Sequence, residues 1–459
     1  MKKILILSSV VVLTTFNSCD KRLDVAPTQS IDQTTALNTS KDVEAALIGT
    51  YDAIQGANAN GDTYAGGYQV TSELLAAVTT EVRFGGTFPN LQELFRKEVT
   101  TINSTAEGLW MRSYVAINRA NNVLANLDKV LEAKRTRVEG EARFIRGAVY
   151  FELARLYGKQ WGDGNNSTNP AVPIVINPTT TVTDANKLPR NSVAEVYAQA
   201  IDDLTKAEAA LPVANGVYAT KGAAAAMLAR VYLQQGNYAA ARDAANRVVA
   251  LNRFRLVTPF SLAFNTKLNS GGANPAEYIF AIQVNDQDGF NGLNTFFGTT
   301  ISSIPGTAGR GDIRIQAGHL ALYEPGDVRG TFFIRPSANT FTQKFLDRFG
   351  HVPVIRYAEV LLTRAEANFR LGTTVGATPL ADVNAIRTRA GLAPLTSVTL
   401  AAILKERRLE LAFEGHALHD IKRTGGSVGT LPFNSPKLIL PVPQREIDVN
   451  PNLKQNEGY

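Results

Sequence analysis

The chain carries a single cysteine among 459 residues, so no disulfide can form within it. Histidine is nearly as scarce, at four residues. A metal centre built from three or four nitrogen and sulfur ligands has little to draw on. No stretch after residue 16 is long and apolar enough to cross a bilayer. No Walker loop and no Gly-x-Ser-x-Gly elbow occur, and Gly306, Gly309 and Gly311 lack the spacing of a dinucleotide fingerprint. Basic residues number 47 against 41 acidic ones, without a Lys/Arg cluster interleaved with aromatics, so nucleic acid is not an expected partner. A glycosidase needs two opposed carboxylates, and nothing in the sequence pairs Asp286, Asp288 or Asp312.

The N-terminus is distinctive. Lys2 and Lys3 precede an apolar run from Ile4 to Phe16, then Asn17, Ser18 and Cys19. The run is too short to span a membrane and reads as a secretory signal peptide over residues 1–18. A lone cysteine just after such a segment predicts lipidation at Cys19, with acyl chains as the membrane anchor. Phe16 and Asn17 depart from the small residues usual before such a cysteine. Loss of Lys2 and Lys3 leaves 45 basic residues against 41 acidic, a net charge of +4. Residues 19–40 are polar, with Pro27, and read as a lipidated tether.

The body reads as mostly α. Val138, Ala142, Ile145, Val149 and Leu156 make one stripe, and Phe144, Ala148 and Phe151 a second, as in a helix packed on two sides. Trp110 sits in a helical pattern over Leu109–Leu131 and reads as core. Ser192 and Glu195 form a capping box. Ala229, Tyr232, Gly236, Tyr238, Ala241 and Ala245 fit a tetratricopeptide helix pair, with Gly236 at the turn. Tyr357–Gly372 with Leu380–Ala390 reads as another pair, started by Thr378 and Pro379. The expected architecture is a tetratricopeptide-like helix-pair scaffold over residues 41–252 and 354–459. A large irregular insertion of short strands and loops, residues 253–353, interrupts it.

Within the insertion, Glu277–Val284 and Thr331–Arg335 read as strands and Asn285–Asp312 as a long loop. A loop of that length is usually functional or disordered. It holds Phe290, Asn291, Asn294, Phe296 and Phe297; an earlier loop, Glu81–Asn90, holds Arg83, Phe84, Phe88 and Asn90. A sugar ring stacks its C–H face on an aromatic ring and leaves its hydroxyls to amides and charges, which is the mixture these loops offer. Phe84, Phe88, Phe290 and Phe296 are the expected stacking rings, with Arg83, Asn90 and Asn291 as hydrogen-bond partners. The alternative is that the phenylalanines, Phe296 and Phe297 above all, are the small core of the insertion. Asn285–Gly289 resembles part of a calcium loop, but Val284 and Thr295 occupy its first and last ligand positions, which excludes an EF-hand. His416 and His419 beside Asp420 make an incomplete metal set. Ligand type alone leaves an irregular calcium site open at Asn285–Gly289; apart from that, neither a metal nor a cofactor is expected.

The stretch Ala401–Arg423 reads as one long helix stopped at Gly415. Arg407 and Arg408 fall on its apolar stripe, so one of them should be buried and paired with carboxylates. Glu406-Arg407-Arg408, Glu410-Leu411, Phe413-Glu414-Gly415, then Asp420 and Arg423, resemble the signature of the SusD/RagB family. Val352–Gly372, Val383–Leu392 and Lys437–Tyr459 are similar to other blocks of that family. Ala417 departs from it, where a larger or basic side chain is frequent. The resemblance implies an outer-membrane, cell-surface, lipid-anchored protein without enzymatic activity. It further implies capture of an oligosaccharide and its delivery to a SusC-like TonB-dependent transporter, with loops in the Glu81–Asn90 and Asn285–Asp312 regions sharing one ligand face. Peptide cargo on the same fold, a purely structural scaffold and a surface glycoside hydrolase are the competing readings.

Overall fold

The computed structural model describes residues 37–56, 63–264 and 272–459. The predicted signal peptide, Cys19 and most of the predicted tether lie outside the described residues. Before the insertion come α1 (Ser40–Gln55), α2 (Tyr68–Ala76), β1 (Val82–Phe84), α3 (Pro89–Arg96), α4 (Ser104–Ala125), α5 (Glu132–Tyr157), α6 (Val193–Ala210), α7 (Lys221–Gln234) and α8 (Tyr238–Ala250). Consecutive long helices pack in series: α1 on α4, α4 on α5, α5 on α6, α6 on α7, α7 on α8.

Local chemistry explains the helix ends. Ser192 Oγ accepts the Glu195 N–H at 3.2 Å, and Glu195 Oε2 accepts the Ser192 N–H at 2.7 Å, the reciprocal box that starts α6. Gly236 takes φ 68°, which lets α7 turn into α8 within three residues, and Asn237 then caps α8. From Gly140 onward α5 is buried on nearly every side, as its two stripes require. Trp110, 3% exposed, packs on Tyr157 in the main core.

The insertion supplies β2 (Tyr278–Ile282), α9 (Gly292–Phe297), β3 (Ile313–Ile315), α10 (Ala317–Leu320), β4 (Phe333–Ile334) and β5 (Phe341–Thr342). The chain then returns through β6 (Val352–Arg356) to α11 (Tyr357–Leu371), α12 (Pro379–Arg389), α13 (Leu400–Glu410), α14 (Ala417–Arg423), β7 (Ser427–Val428), β8 (Leu431–Pro432) and α15 (Gln444–Val449). The strands pair two at a time, β1 with β3, β2 with β6, β4 with β5 and β7 with β8, all antiparallel. Helix α11 packs against α8, so the helical array resumes where it left off.

Two expectations need correction. The loop Asn285–Asp312 contains a buried helix, α9, because Asn291 caps it by accepting the Asn294 N–H at 2.8 Å. Ala401–Arg423 is not one helix: α13 ends at Glu410 and α14 begins at Ala417. Between them Phe413 sits at φ 69° and Gly415 at φ 86°, and a Cβ on Gly415 would lie 2.8 Å from the Gln69 Cα. Only glycine satisfies both the left-handed backbone and that contact.

The turn after α13 sits in a buried ion network. Arg356, at the end of β6, donates to Glu414 at 2.7 Å and to Glu410 at 3.0 Å, and also reaches Glu277. Arg389 joins Glu277 at 3.0 Å to Glu410 at 2.5 Å. Lys344 donates to Glu414 at 2.7 Å and to the carbonyls of Glu410 and Ala412. These groups are buried, and the Phe260 and Phe264 rings lie under the cations. Arg407 and Arg408 divide as their faces dictate. Arg407 is 1% exposed and pairs with Asp420 at 2.8 Å, whereas Arg408 is half-exposed and reaches Glu81.

Removing one partner of a buried pair strands the other charge. Arg407→Ala should therefore cost about 3–5 kcal/mol, and Arg408→Ala under about 1 kcal/mol, by denaturant unfolding. Equal effects would refute the division. The Arg356, Lys344 and Arg389 charges beside Glu410 and Glu414 hold both carboxyls below the usual range against the opposing effect of burial, as Arg407 and Arg423 do for Asp420. Carboxyls depressed on folding stabilise the protein above their unfolded values, near pH 4–4.5, and lose that contribution as pH falls through the lower folded values. The midpoint of urea unfolding should drop steeply below about pH 4. A midpoint flat to pH 2.5 would contradict this.

Candidate ligand-binding face

Strand β1 alternates. Val82 and Phe84 point into the core, and Arg83 between them points out. Its partner β3 buries Ile313 and Ile315 and turns Arg314 the other way. The register sets Arg83 directly opposite Arg314. The pairing continues as Gly85 donates its N–H to the Asp312 carbonyl at 2.7 Å, and the Arg314 guanidinium lies across the bare Gly85. The two loops singled out from sequence are thus bound edge to edge.

Next to the ribbon, Arg310 donates to Asp312 at 2.9 Å and to Thr87 at 3.2 Å, with its guanidinium 4.6 Å above the half-buried Phe88 ring. Further along, Phe290 is 40% exposed and stacks nearly parallel on Phe349, centroids 6.5 Å apart. Arg348 lies over both rings, at 4.7 and 5.1 Å. The segment between is tied to both ends: Thr299 bridges Arg310, Ala308 donates to the Leu346 carbonyl, and Arg348 donates to the Gly306 carbonyl. Backbone pairing thus links the loop segments that carry Arg83, Phe88, Arg310, Phe290, Arg348 and Phe349.

The other residues expected at the ligand are committed to the protein. Phe84 is 4% and Phe296 3% exposed, the latter edge-on to Phe88 at 6.0 Å. Helix α9 turns Phe296 inward with Phe297, which packs on Phe345 and Phe413. Asn291 is spent capping α9 and donating to the Gly350 carbonyl at 3.2 Å. Asn90 donates to Thr105 at the start of α4. The sequence reading missed Arg310, Arg314, Arg348 and Phe349. Arg314 alone had a local signal, a charge between two isoleucines; the others are placed by pairing with distant segments.

A separate cavity of about 370 Å³ lies behind β1, between α2, α13 and α14. Its walls include Ala76, Ala77, Leu411 and Ala417, and Glu73 stands in them. Glu73 Oε1 accepts the Gly415 N–H at 2.8 Å, but the carboxyl has no cationic partner among the described residues. Burial pushes it up to about 7, against the two backbone N–H groups that favour its anion. Among the described residues no group of three or more His, Cys, Asp or Glu is arranged to hold a metal. His419 meets Ser72 at 3.0 Å, and His416 lies 3.4 Å from Arg407.

A carboxyl raised on folding penalises the fold once it must ionise. No penalty exists below about pH 4.5; it grows through about pH 7 and then stays, at roughly 3 kcal/mol for a shift of this size. Glu73→Gln keeps an acceptor for Gly415, so it should match the parent's melting temperature at pH 4.5 and exceed it by several degrees at pH 8. A constant difference across that range would contradict the assignment.

In sequence and in fold the chain is similar to known proteins. A family profile described as starch-binding, associating with the outer membrane, matches residues 21–233. The SusD family profile matches residues 344–432. A SusD-like protein of Formosa agariphila is 27% identical over 99% of this chain and 98% of its own length. The starch-binding protein SusD of Bacteroides thetaiotaomicron is 32% identical over 24% of this chain and 21% of its own. Among solved structures, a putative sugar-binding protein of Bacteroides vulgatus superposes with a TM-score of 0.80 at 26% identity, covering 93% of this chain and 100% of that one. A surface glycan-binding protein A of Bacteroides thetaiotaomicron, in complex with laminarihexaose, shares the fold at 20% identity and a TM-score of 0.76, covering 91% of this chain and 99% of that one.

Proposed function

We propose, since this chain belongs to the SusD/RagB family, that it is a cell-surface carbohydrate-binding protein without catalytic activity of its own. The observation that carries this reading is the loop surface holding Phe88 under Arg310 and Phe290 beside Arg348. Partly exposed rings beside guanidinium donors offer what a sugar's C–H face and hydroxyls require. A rigid helical scaffold holds the loops, so little ordering entropy is lost on binding. The printed names of the relatives, starch-binding and sugar-binding proteins, support the same reading.

The wider role is part of the proposal. Cys19 would be the lipidated residue, and the protein would sit at the outer membrane. It would pass its oligosaccharide to a SusC-like TonB-dependent transporter. No helix among the described residues is long and apolar enough to cross a membrane, so attachment would rest on the acyl chains.

Phe290→Ala should weaken oligosaccharide binding about tenfold, or about 1.4 kcal/mol, while leaving the melting temperature unchanged, because the ring is 40% exposed. Phe296→Ala should instead cost about 3–5 kcal/mol of stability. Isothermal titration with laminarihexaose and other oligosaccharides, paired with thermal melts, separates the two. No effect of Phe290→Ala on any bound saccharide would overturn this face as the site. Cys19→Ala should release the protein from the membrane fraction of cells; full retention would refute the anchor.

A further inference from the structure

The β1–β3 ribbon carries a charge pattern that the fold itself does not require. Arg83 and Arg314 are direct cross-strand partners on its outward face. Residues so placed have Cβ atoms about 5 Å apart, and like charges there destabilise the pairing. A nearby carboxylate would relieve this, yet the nearby acids are engaged elsewhere. Glu81 is taken by Arg408, and Asp312, buried, is taken by Arg310. Among the described residues Arg83 makes no ion pair. Arg314 donates to the Gly311 and Gly85 carbonyls, at 3.5 and 3.4 Å, and pairs with no carboxylate among the described residues. Arg348, over Phe290, has no carboxylate partner among the described residues either. Asp286 and Asp288 precede Phe290 in the same loop, but Asp288 is turned back to accept the Asn285 N–H at 2.8 Å.

The ribbon therefore presents two cross-strand arginines with no carboxylate partner among the described residues, beside the Phe88–Arg310 stack. Guanidiniums bind planar or tetrahedral oxyanions through paired N–H donors, more tightly than neutral hydroxyls. We propose that the saccharide bound here is acidic, with a uronate carboxylate or a sulfate ester seated between Arg83 and Arg314 and a neighbouring ring on the Phe88–Arg310 side. The inference rests on the carbohydrate-binding reading and narrows it to anionic glycans.

Three hexasaccharide probes test it by calorimetry on the whole soluble domain: an oligogalacturonate, a sulfated carrageenan oligomer and neutral laminarihexaose. At least one acidic probe should bind tenfold or more tightly than laminarihexaose at low salt, and that preference should shrink as salt rises. Whichever acidic probe binds identifies the anion as carboxylate or sulfate. The double variant Arg83→Gln with Arg314→Gln should lose at least tenfold for the acidic probe. Its melting temperature without ligand should equal or exceed the parent's, since repulsion is removed. Laminarihexaose binding as tightly as the acidic probes, or acidic binding unchanged in the double variant, overturns the inference and leaves the carbohydrate reading standing. Failure of every saccharide, acidic or neutral, overturns both.

Discussion

The buried ion network around Arg356 is the constraint on which the rest of the structure depends. It joins parts of the chain that no local signal connects. Glu277 and Lys344 come from the insertion, Arg356 from the end of β6, Arg389 and Glu410 from α12 and α13, and Glu414 from the turn after α13. Such charges are tolerable inside a protein only when each meets its opposite. The network therefore specifies one seating of the insertion on the scaffold. Apolar packing alone would be less selective, since it rewards many similar arrangements.

From that seating the loop surface follows. Lys344 and Arg356 hold the turn Leu411–Gly415 through its carbonyls and Glu414, and that turn presents Phe413 to Phe297 of α9. Helix α9 in turn carries Phe296 to Phe88. The β1–β3 ribbon closes the other side. These loops are thus held in place by a short helix and a charged core.

Much of the scaffold was legible in the sequence because its signals are local. The Ser192–Glu195 box, Gly236 at a tight turn and the two stripes of α5 each need only a few neighbouring residues. The family resemblance carried the rest of the architecture. What was not legible depends on long-range pairing. Arg407 and Arg408 are adjacent, yet Arg407 is buried on Asp420 and Arg408 is half-exposed beside Glu81, partners that come from other segments of the chain. The break after Glu410 was hidden because Leu411, Ala412 and Phe413 continue the apolar pattern through a turn. In the candidate loops, Phe88 and Phe290 were identifiable as aromatic loop residues. Phe84 and Phe296 were indistinguishable from them until β1 and α9 set which way each ring points. Arg310 and Arg348 acquire meaning only from the rings they cover.

The central claim is that the 82–90 and 290–315 segments, with 346–350, act as one preformed ligand face. Hydrogen–deuterium exchange with and without a bound oligosaccharide tests it most directly. The account predicts added protection confined to those three segments, with α5 to α8 unchanged. Protection concentrated instead around Glu73, His416 and Ala417, at the cavity behind β1, would contradict it.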